Sequence, residues 1–286
     1  MSLINFCKFH GFGNDYIVFE AEHLSRVEKL NDFAQTVCRR HTNIGGDGIA
    51  VLRKLETEAD YECRIINPDG SEAGFSGNGT RCAVAYLYYK NLFSAENLRL
   101  ETKSGIKNYQ LLSRDENTFW FLAEIGKPKF DLPETVSGER RDSEHAKEFG
   151  LLIPSVETAV RFTFVDVGNP VAVIFVEDFG LLDWRTIGGK IETAPIFPER
   201  TNVVFVKTID RENIEIRIWE RGAGETSSSG TCSIAAAVAS AFVGKTDRKV
   251  SVHAEGGTTE TVWREEDDEM LITGRADLAF CGEVFI

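Results

Sequence analysis

One stretch constrains this chain more than any other: Ser229-Gly230-Thr231-Cys232-Ser233-Ile234-Ala235-Ala236-Ala237-Val238-Ala239. A Ser/Gly/Thr turn runs straight into an Ala-rich apolar run, which predicts a tight turn opening a buried helix. The first N–H groups of a helix have no intrahelical acceptor and sit at the positive end of its dipole. Such an end holds an anion, for instance a carboxylate. A second copy, Ser76-Gly77-Asn78-Gly79-Thr80-Arg81-Cys82-Ala83-Val84-Ala85, lies about 150 residues earlier. Each copy follows an acidic approach, Gly70-Ser71-Glu72 in the first and Gly222-Ala223-Gly224-Glu225-Thr226 in the second. Either copy alone reads as an N-capped core helix. Together they predict two equivalent halves that face each other and share an anion site.

Length and charge set the outer bounds. At 286 residues the chain is sized for about two domains, and 42% apolar residues suffice for proper cores. Acidic residues number 45 and basic ones 32, so the formal net charge is −13. That argues against a nucleic-acid or anionic-membrane partner. No run approaches the roughly 18 apolar residues of a membrane helix, and Met1–Lys8 lacks a basic-then-apolar leader pattern. The six cysteines, at 7, 38, 63, 82, 232 and 281, are scattered through apolar stretches without a CxxC. They are expected to be reduced core thiols of a cytoplasmic protein.

Taken in order, Ile4–Phe9 and Tyr16–Glu20 read as strands joined by the turn His10-Gly11-Phe12-Gly13-Asn14-Asp15, with a helix over Leu30–Arg40. Asn43-Ile44-Gly45-Gly46-Asp47-Gly48 leads into the strand Ile49–Leu52. Glu62–Ile66 is a strand ending in the turn Asn67-Pro68-Asp69-Gly70, and the first capped helix then runs to about Leu92. Asn97–Thr102, Gly105–Leu112 and Thr118–Ile125 follow as strands. Gly126–Gly150, charged and aperiodic, reads as a surface segment near the start of a second half. Arg161–Val167, Ala172–Val176, Asn202–Val206 and Ile214–Trp219 are strands, the last delivering Glu220-Arg221-Gly222 to the second capped helix. Lys249–Ala254, Thr258–Trp263, Leu271–Thr273 and Ala279–Ile286 close the chain as strands, with Glu265–Glu269 as a solvated hairpin tip.

Many strands with a central helix in each half predict an α+β fold rather than alternating βαβ units. There is no GxGxxG after a strand, no Walker motif and no histidine pair at ligand spacing among the five histidines. No lysine sits in a setting that marks a Schiff base. Neither a cofactor nor a metal is expected.

The chain resembles the diaminopimelate epimerase family of pyridoxal-independent amino-acid racemases and epimerases, nearly end to end. The resemblance is carried by Lys8-Phe9-His10-Gly11-Phe12-Gly13-Asn14-Asp15, Asn67-Pro68-Asp69-Gly70-Ser71-Glu72, Gly77-Asn78-Gly79-Thr80-Arg81-Cys82 and Gly168-Asn169-Pro170. It continues through Glu199-Arg200-Thr201-Asn202, Trp219-Glu220-Arg221-Gly222, Gly230-Thr231 and Ile272-Thr273-Gly274. The resemblance implies two pseudo-symmetric halves, each a curled, mostly antiparallel sheet around a central helix. The last strand returns to the first half. The boundaries expected are residues 1–120 plus 272–286 and residues 121–271, with the active-site cleft between them. It also implies a small amino-acid substrate, a cytoplasmic location and members that often pair as homodimers.

The implied chemistry is inversion at an α-carbon by two opposed cysteines, interconverting LL- and meso-diaminopimelate for lysine and cell-wall synthesis. Asn14, Asn67, Asn169, Asn202 and Arg221 match positions that hold the distal amino-acid end of the substrate. Gly77, Asn78, Gly230 and Thr231 match the two carboxylate-holding turns, and Glu220 matches an acid that assists the thiols. Catalysis departs from the pattern: Ser76 and Ser229 stand at the two cysteine positions and Val171 at a histidine position. A hydroxyl is far less acidic than a thiol of pKa about 8.5 and needs a neighbouring base. Three readings therefore stand. The first is an epimerase using Ser76, Ser229 and Glu220. The second is an isomerase or dehydratase of the same fold on another substrate, with Glu220 as base. The third is a non-catalytic amino-acid-binding relative.

Overall fold

A computed structural model describes residues 3–130, 149–153 and 158–285. The segment 126–150 read as a surface stretch thus lies largely outside the described residues. The chain divides into two compact units, Met1–Glu124 with Thr273–Ile286, and Ile125–Ile272.

In the first unit β1 (Leu3–Gly11) and β2 (Asn14–Glu20) form a hairpin, and α1 (Leu30–Val37) leads to β3 (Gly48–Lys54). β3 runs parallel to β2 and antiparallel to β4 (Tyr61–Ile66). The two-residue strand β5 (Glu72–Ala73) precedes α2 (Gly77–Tyr89), and β6 (Asn97–Thr102), β7 (Gly105–Asp115) and β8 (Thr118–Glu124) follow. β6 lies parallel to β4 and antiparallel to β7.

The second unit repeats this order. β9 (Phe149–Ile153), β10 (Thr158–Asp166) and β11 (Pro170–Phe175) lead through α3 (Trp184–Glu192) to β12 (Asn202–Thr208) and β13 (Asn213–Glu220). β14 (Gly224–Thr226), α4 (Gly230–Phe242), β15 (Lys249–Ala254) and β16 (Gly257–Trp263) follow. Again one pair is parallel, β11 with β12, and the next antiparallel, β12 with β13. β15 then lies parallel to β13, as β6 does to β4.

The two capped helices are buried all round: Gly77 to Tyr88 of α2 and Gly230 to Ser240 of α4 are shielded from solvent. A helix without a polar face is a core element, and the sheet of each unit curls about it. α1 and α3 are amphipathic and cover the outer face. Val37 and Ala34 of α1 pack on Ile17, Phe19, Ile49 and Val51. Trp184, Ile187 and Ile191 of α3 pack on Phe162, Phe164, Val203 and Phe205.

The structure corrects several expectations. Trp184–Glu192 is helical and Phe149–Ile153 a strand, neither foreseen. The α1 helix stops at Val37 rather than Arg40, and α2 at Tyr89 rather than Leu92. The two closing strands are one, β17 (Met270–Phe285), antiparallel to β1. Gly274 sits within it because a Cβ there would lie 2.6 Å from Cζ of Arg81. Not all six cysteines are free: Cys7 and Cys281, paired across β1 and β17, form a disulfide, while Cys38, Cys63, Cys82 and Cys232 are buried thiols.

Candidate active site

The α2 turn is built by Ser76, whose backbone is extended and whose Oγ accepts the N–H of Gly79 at 3.1 Å. A serine N-cap of this kind stabilises a helix by about 1 kcal/mol. The same Oγ lies 2.9 Å from the hydroxyl of Tyr16 on β2, with either oxygen able to donate. Asn78, 2% exposed, donates through Nδ2 to Oδ1 of Asn14 at 3.1 Å and accepts from Nη1 of Arg81 at 2.8 Å. Asn14 in turn donates to Oδ2 of Asp47 at 2.8 Å. Asn67 closes its own turn, its Nδ2 donating to Oγ of Ser71 at 3.0 Å. Gln35 of α1 pins this corner by donating to the Asp69 carbonyl at 2.6 Å.

Arg81 is fully buried and its desolvation lowers its pKa. It places positive charge directly behind Asn78. Asp15, next to Asn14 on β2, carries the opposite charge and pairs with Lys8 and Arg40. Burial alone would raise its pKa, but hydrogen bonds and charges from Arg40 and Lys8 prevail and hold it near 2.

The α4 turn has the same frame with different partners. Ser229, 4% exposed, caps the helix by accepting the N–H of Cys232 at 3.4 Å. Its Oγ donates to Oε2 of Glu220 at 3.0 Å, and the other Glu220 oxygen accepts from Thr226 Oγ1 at 2.8 Å. Thr231 Oγ1 lies 3.3 Å from the Ser229 hydroxyl. Gly77 and Gly230 open the two helices, so their N–H groups belong to the unsatisfied first turn.

Asn202, Asn169 and Arg221 converge on one corner. Asn202 Oδ1 accepts the Arg221 N–H at 2.8 Å, Arg221 Nη2 donates to Asn169 Oδ1 at 3.3 Å, and Nη1 to the Glu199 carbonyl at 2.9 Å. Nδ2 of Asn202 is buried without a hydrogen-bond partner. Val171 is fully buried in β11. Neither remaining helix thiol is a ready thiolate. Burial pushes both Cys82 and Cys232 up, and the Glu220 charge adds to the rise at Cys232.

Four contributors escaped the sequence reading. Tyr16 looks like any strand aromatic, and Arg81 like a polar residue of a helix. Glu192, at the end of α3, accepts from Trp219 Nε1 at 2.8 Å and from the Gly222 N–H at 2.9 Å, bracing the Glu220-Arg221 corner. Asp47 was visible only as part of a glycine-rich turn. Among the described residues no cluster of His, Cys, Asp and Glu is arranged to hold a metal ion. Nor is any described helix long and apolar enough to cross a membrane.

Two units, each a curled sheet around a serine-capped central helix, define a class of fold seen in epimerases. A solved hydroxyproline epimerase from Agrobacterium vitis superposes with a TM-score of 0.72 at 14% identity, covering 99% of this chain and 92% of that one. A Bacillus anthracis phenazine biosynthesis protein of the PhzF family gives 0.69 at 18% identity, covering all of both chains. At such identities the likeness is one of fold.

Sequence gives the family. The chain belongs to the diaminopimelate epimerase family, whose sequence pattern matches residues 6–130 and 163–279. The diaminopimelate epimerase of Pelotomaculum thermopropionicum is 36% identical over 281 residues, 98% of each chain. That of Moorella thermoacetica is 37% identical over 283 residues, 98% of this chain and 99% of its own.

Proposed function

We propose that the protein is a cofactor-independent epimerase that interconverts LL- and meso-diaminopimelate by proton transfer at Cα, in lysine and cell-wall synthesis. The observation that carries the reading is the hydroxyl of Ser229, held at the start of α4 and donating to Glu220 at 3.0 Å. A carboxylate so placed takes the serine proton as the serine takes the α-proton, or takes the α-proton itself. Ser76 is the second transferring group. Inversion needs donation to the face opposite removal, and each unit supplies one capping hydroxyl.

The first-turn amides of Gly77, Asn78, Gly230 and Thr231 hold the α-carboxylate, where negative charge develops as the carbanion forms. Stabilisation there is of the oxyanion-hole kind. Asn14, Asn67, Asn169, Asn202 and Arg221 hold the distal amino-acid end. The buried, unpartnered Nδ2 of Asn202 fits a donor awaiting a substrate oxygen. We place the enzyme in the cytoplasm as a homodimer on the family reading. The Cys7–Cys281 disulfide runs against the usual reduced state of cytosolic thiols.

The test is exchange and inversion of the α-proton of LL- and meso-diaminopimelate in D₂O, followed by NMR, for the wild type and for Ser76→Cys/Ser229→Cys. Inversion by the wild type, faster in the dicysteine variant, is the expected result. A wild type that binds diaminopimelate yet exchanges nothing, beside an active dicysteine variant, would leave it a binding relative. Exchange without inversion would point instead to the one-base reaction through Glu220.

A further inference from the structure

We infer that Tyr16 is a positioning residue that supplies and withdraws the proton of Ser76, an inference that rests on the epimerase reading above. The need for one is chemical. An isolated serine hydroxyl is a poor acid and a poor base near neutrality and works only through a neighbour. Ser229 has Glu220. The family's histidine is absent from the sequence, Val171 standing at its position. In the first unit, the hydroxyl poised on Ser76 is that of Tyr16, at 2.9 Å.

The placement is built by the backbone. Tyr16 faces Gly48 across the β2–β3 register. A Cβ on Gly48 would lie 2.8 Å from Cε1 of the ring, and a Cβ on Gly79 would lie equally close. Gly79 stands in the first turn of α2, its N–H bonded to the capping Ser76. Two glycines on separate elements thus clear one slot, and the slot delivers the phenol to Ser76. The positive helix end also favours charge on Ser76 Oγ.

The step balances without a further reagent. As Ser76 Oγ–H protonates the α-carbanion, the Cα–H bond forms and the Oγ–H bond breaks. Tyr16 passes its hydroxyl proton to Oγ, and the phenolate regains a proton from water. Charge therefore rests on a phenolate rather than on an alkoxide, a phenol being by nature the stronger acid of the two. In the reverse direction the same protons run backwards.

Tyr16→Phe keeps the ring and removes only the hydroxyl. In D₂O the variant should lose inversion by at least about 100-fold. It should still wash deuterium into one isomer with retention, within a few fold of wild type, because the Ser229–Glu220 side is intact. That retained exchange reports a folded site. Tyr16→Phe/Ser76→Cys should regain inversion at least about tenfold over Tyr16→Phe, since a thiol ionises without a relay. Two results overturn the inference while sparing the epimerase reading. One is inversion by Tyr16→Phe within about threefold of wild type. The other is equal loss of exchange and inversion that cysteine at 76 does not rescue. A wild type that neither exchanges nor inverts diaminopimelate removes the epimerase reading, and this inference with it.

Discussion

The two units share one backbone plan and fill it with opposite chemistry. At the start of α2 the serine oxygen meets a neutral phenol, Tyr16. At the start of α4 it meets a carboxylate, Glu220. The contrast repeats one shell out. The loop after β4 is pinned by the neutral amide of Gln35 from α1, and the loop after β13 by the carboxylate of Glu192 from α3. Duplicated geometry does not therefore imply duplicated roles. On the proposed epimerase reading, the α4 turn with its carboxylate is the better equipped to take a proton and the α2 turn with its phenol the better equipped to give one.

The sharpest way to break this comparison is Glu220→Gln. It keeps an acceptor oxygen for only one of the two hydroxyls, Thr226 or Ser229, turns an amide N–H towards the other and removes the base. Exchange of the α-proton in D₂O should fall about 10²- to 10⁴-fold, with binding of diaminopimelate, read by calorimetry, little changed. Near-normal exchange would mean that the α4 turn is not the basic side.

A smaller effect tests the outer layer. Glu192→Ala leaves the Trp219 and Gly222 N–H groups without their acceptor. An orphaned buried donor costs about 1–3 kcal/mol. Denaturant titration should show a loss of that order, with inversion slowed about tenfold as the Glu220-Arg221 corner loosens. Glu192→Gln, which keeps one acceptor oxygen, should recover much of both. Gln35→Ala, on the exposed equivalent in the first unit, should cost less than Glu192→Ala.

Much of this was legible beforehand, for identifiable reasons. Both capped helices were visible because a Ser-Gly turn leading into a mainly apolar run is the pattern of an N-capped core helix. The strand order followed from alternation and strong turns such as Asn67-Pro68-Asp69-Gly70. α3 was not legible because Gly188 and Gly189 interrupt it. Those glycines exist for packing: a Cβ on Gly188 would come within 2.9 Å of Trp219. Gly274 misled in the same way, marking room for Arg81 rather than a strand end. The Cys7–Cys281 pair needed the β1–β17 register, which no local pattern encodes. The partners of Ser76 and Glu220 lie 60 and 9 residues away in sequence. The nearer was recovered from the family pattern, whereas the Tyr16 hydroxyl needed three-dimensional register.

The last contrast is one of pH. The α2 side rests on Asp15, whose pKa is held near 2 by Arg40 and Lys8 against the cost of burial. A carboxylate with a depressed folded pKa contributes stability above its unfolded value of 3.8, and loses it as pH falls towards 2. The shift corresponds to at most about 2 kcal/mol, less because the Arg40 side chain is 49% exposed and screened by water. Between pH 4 and 2, about, amides of β2 and β3 should therefore lose hydrogen-exchange protection before those of β12 and β13. Asp15→Asn should flatten that difference at the expense of stability near neutrality. Simultaneous loss of protection in both sets would mean that the Asp15 cluster does not set the acid limit of its unit.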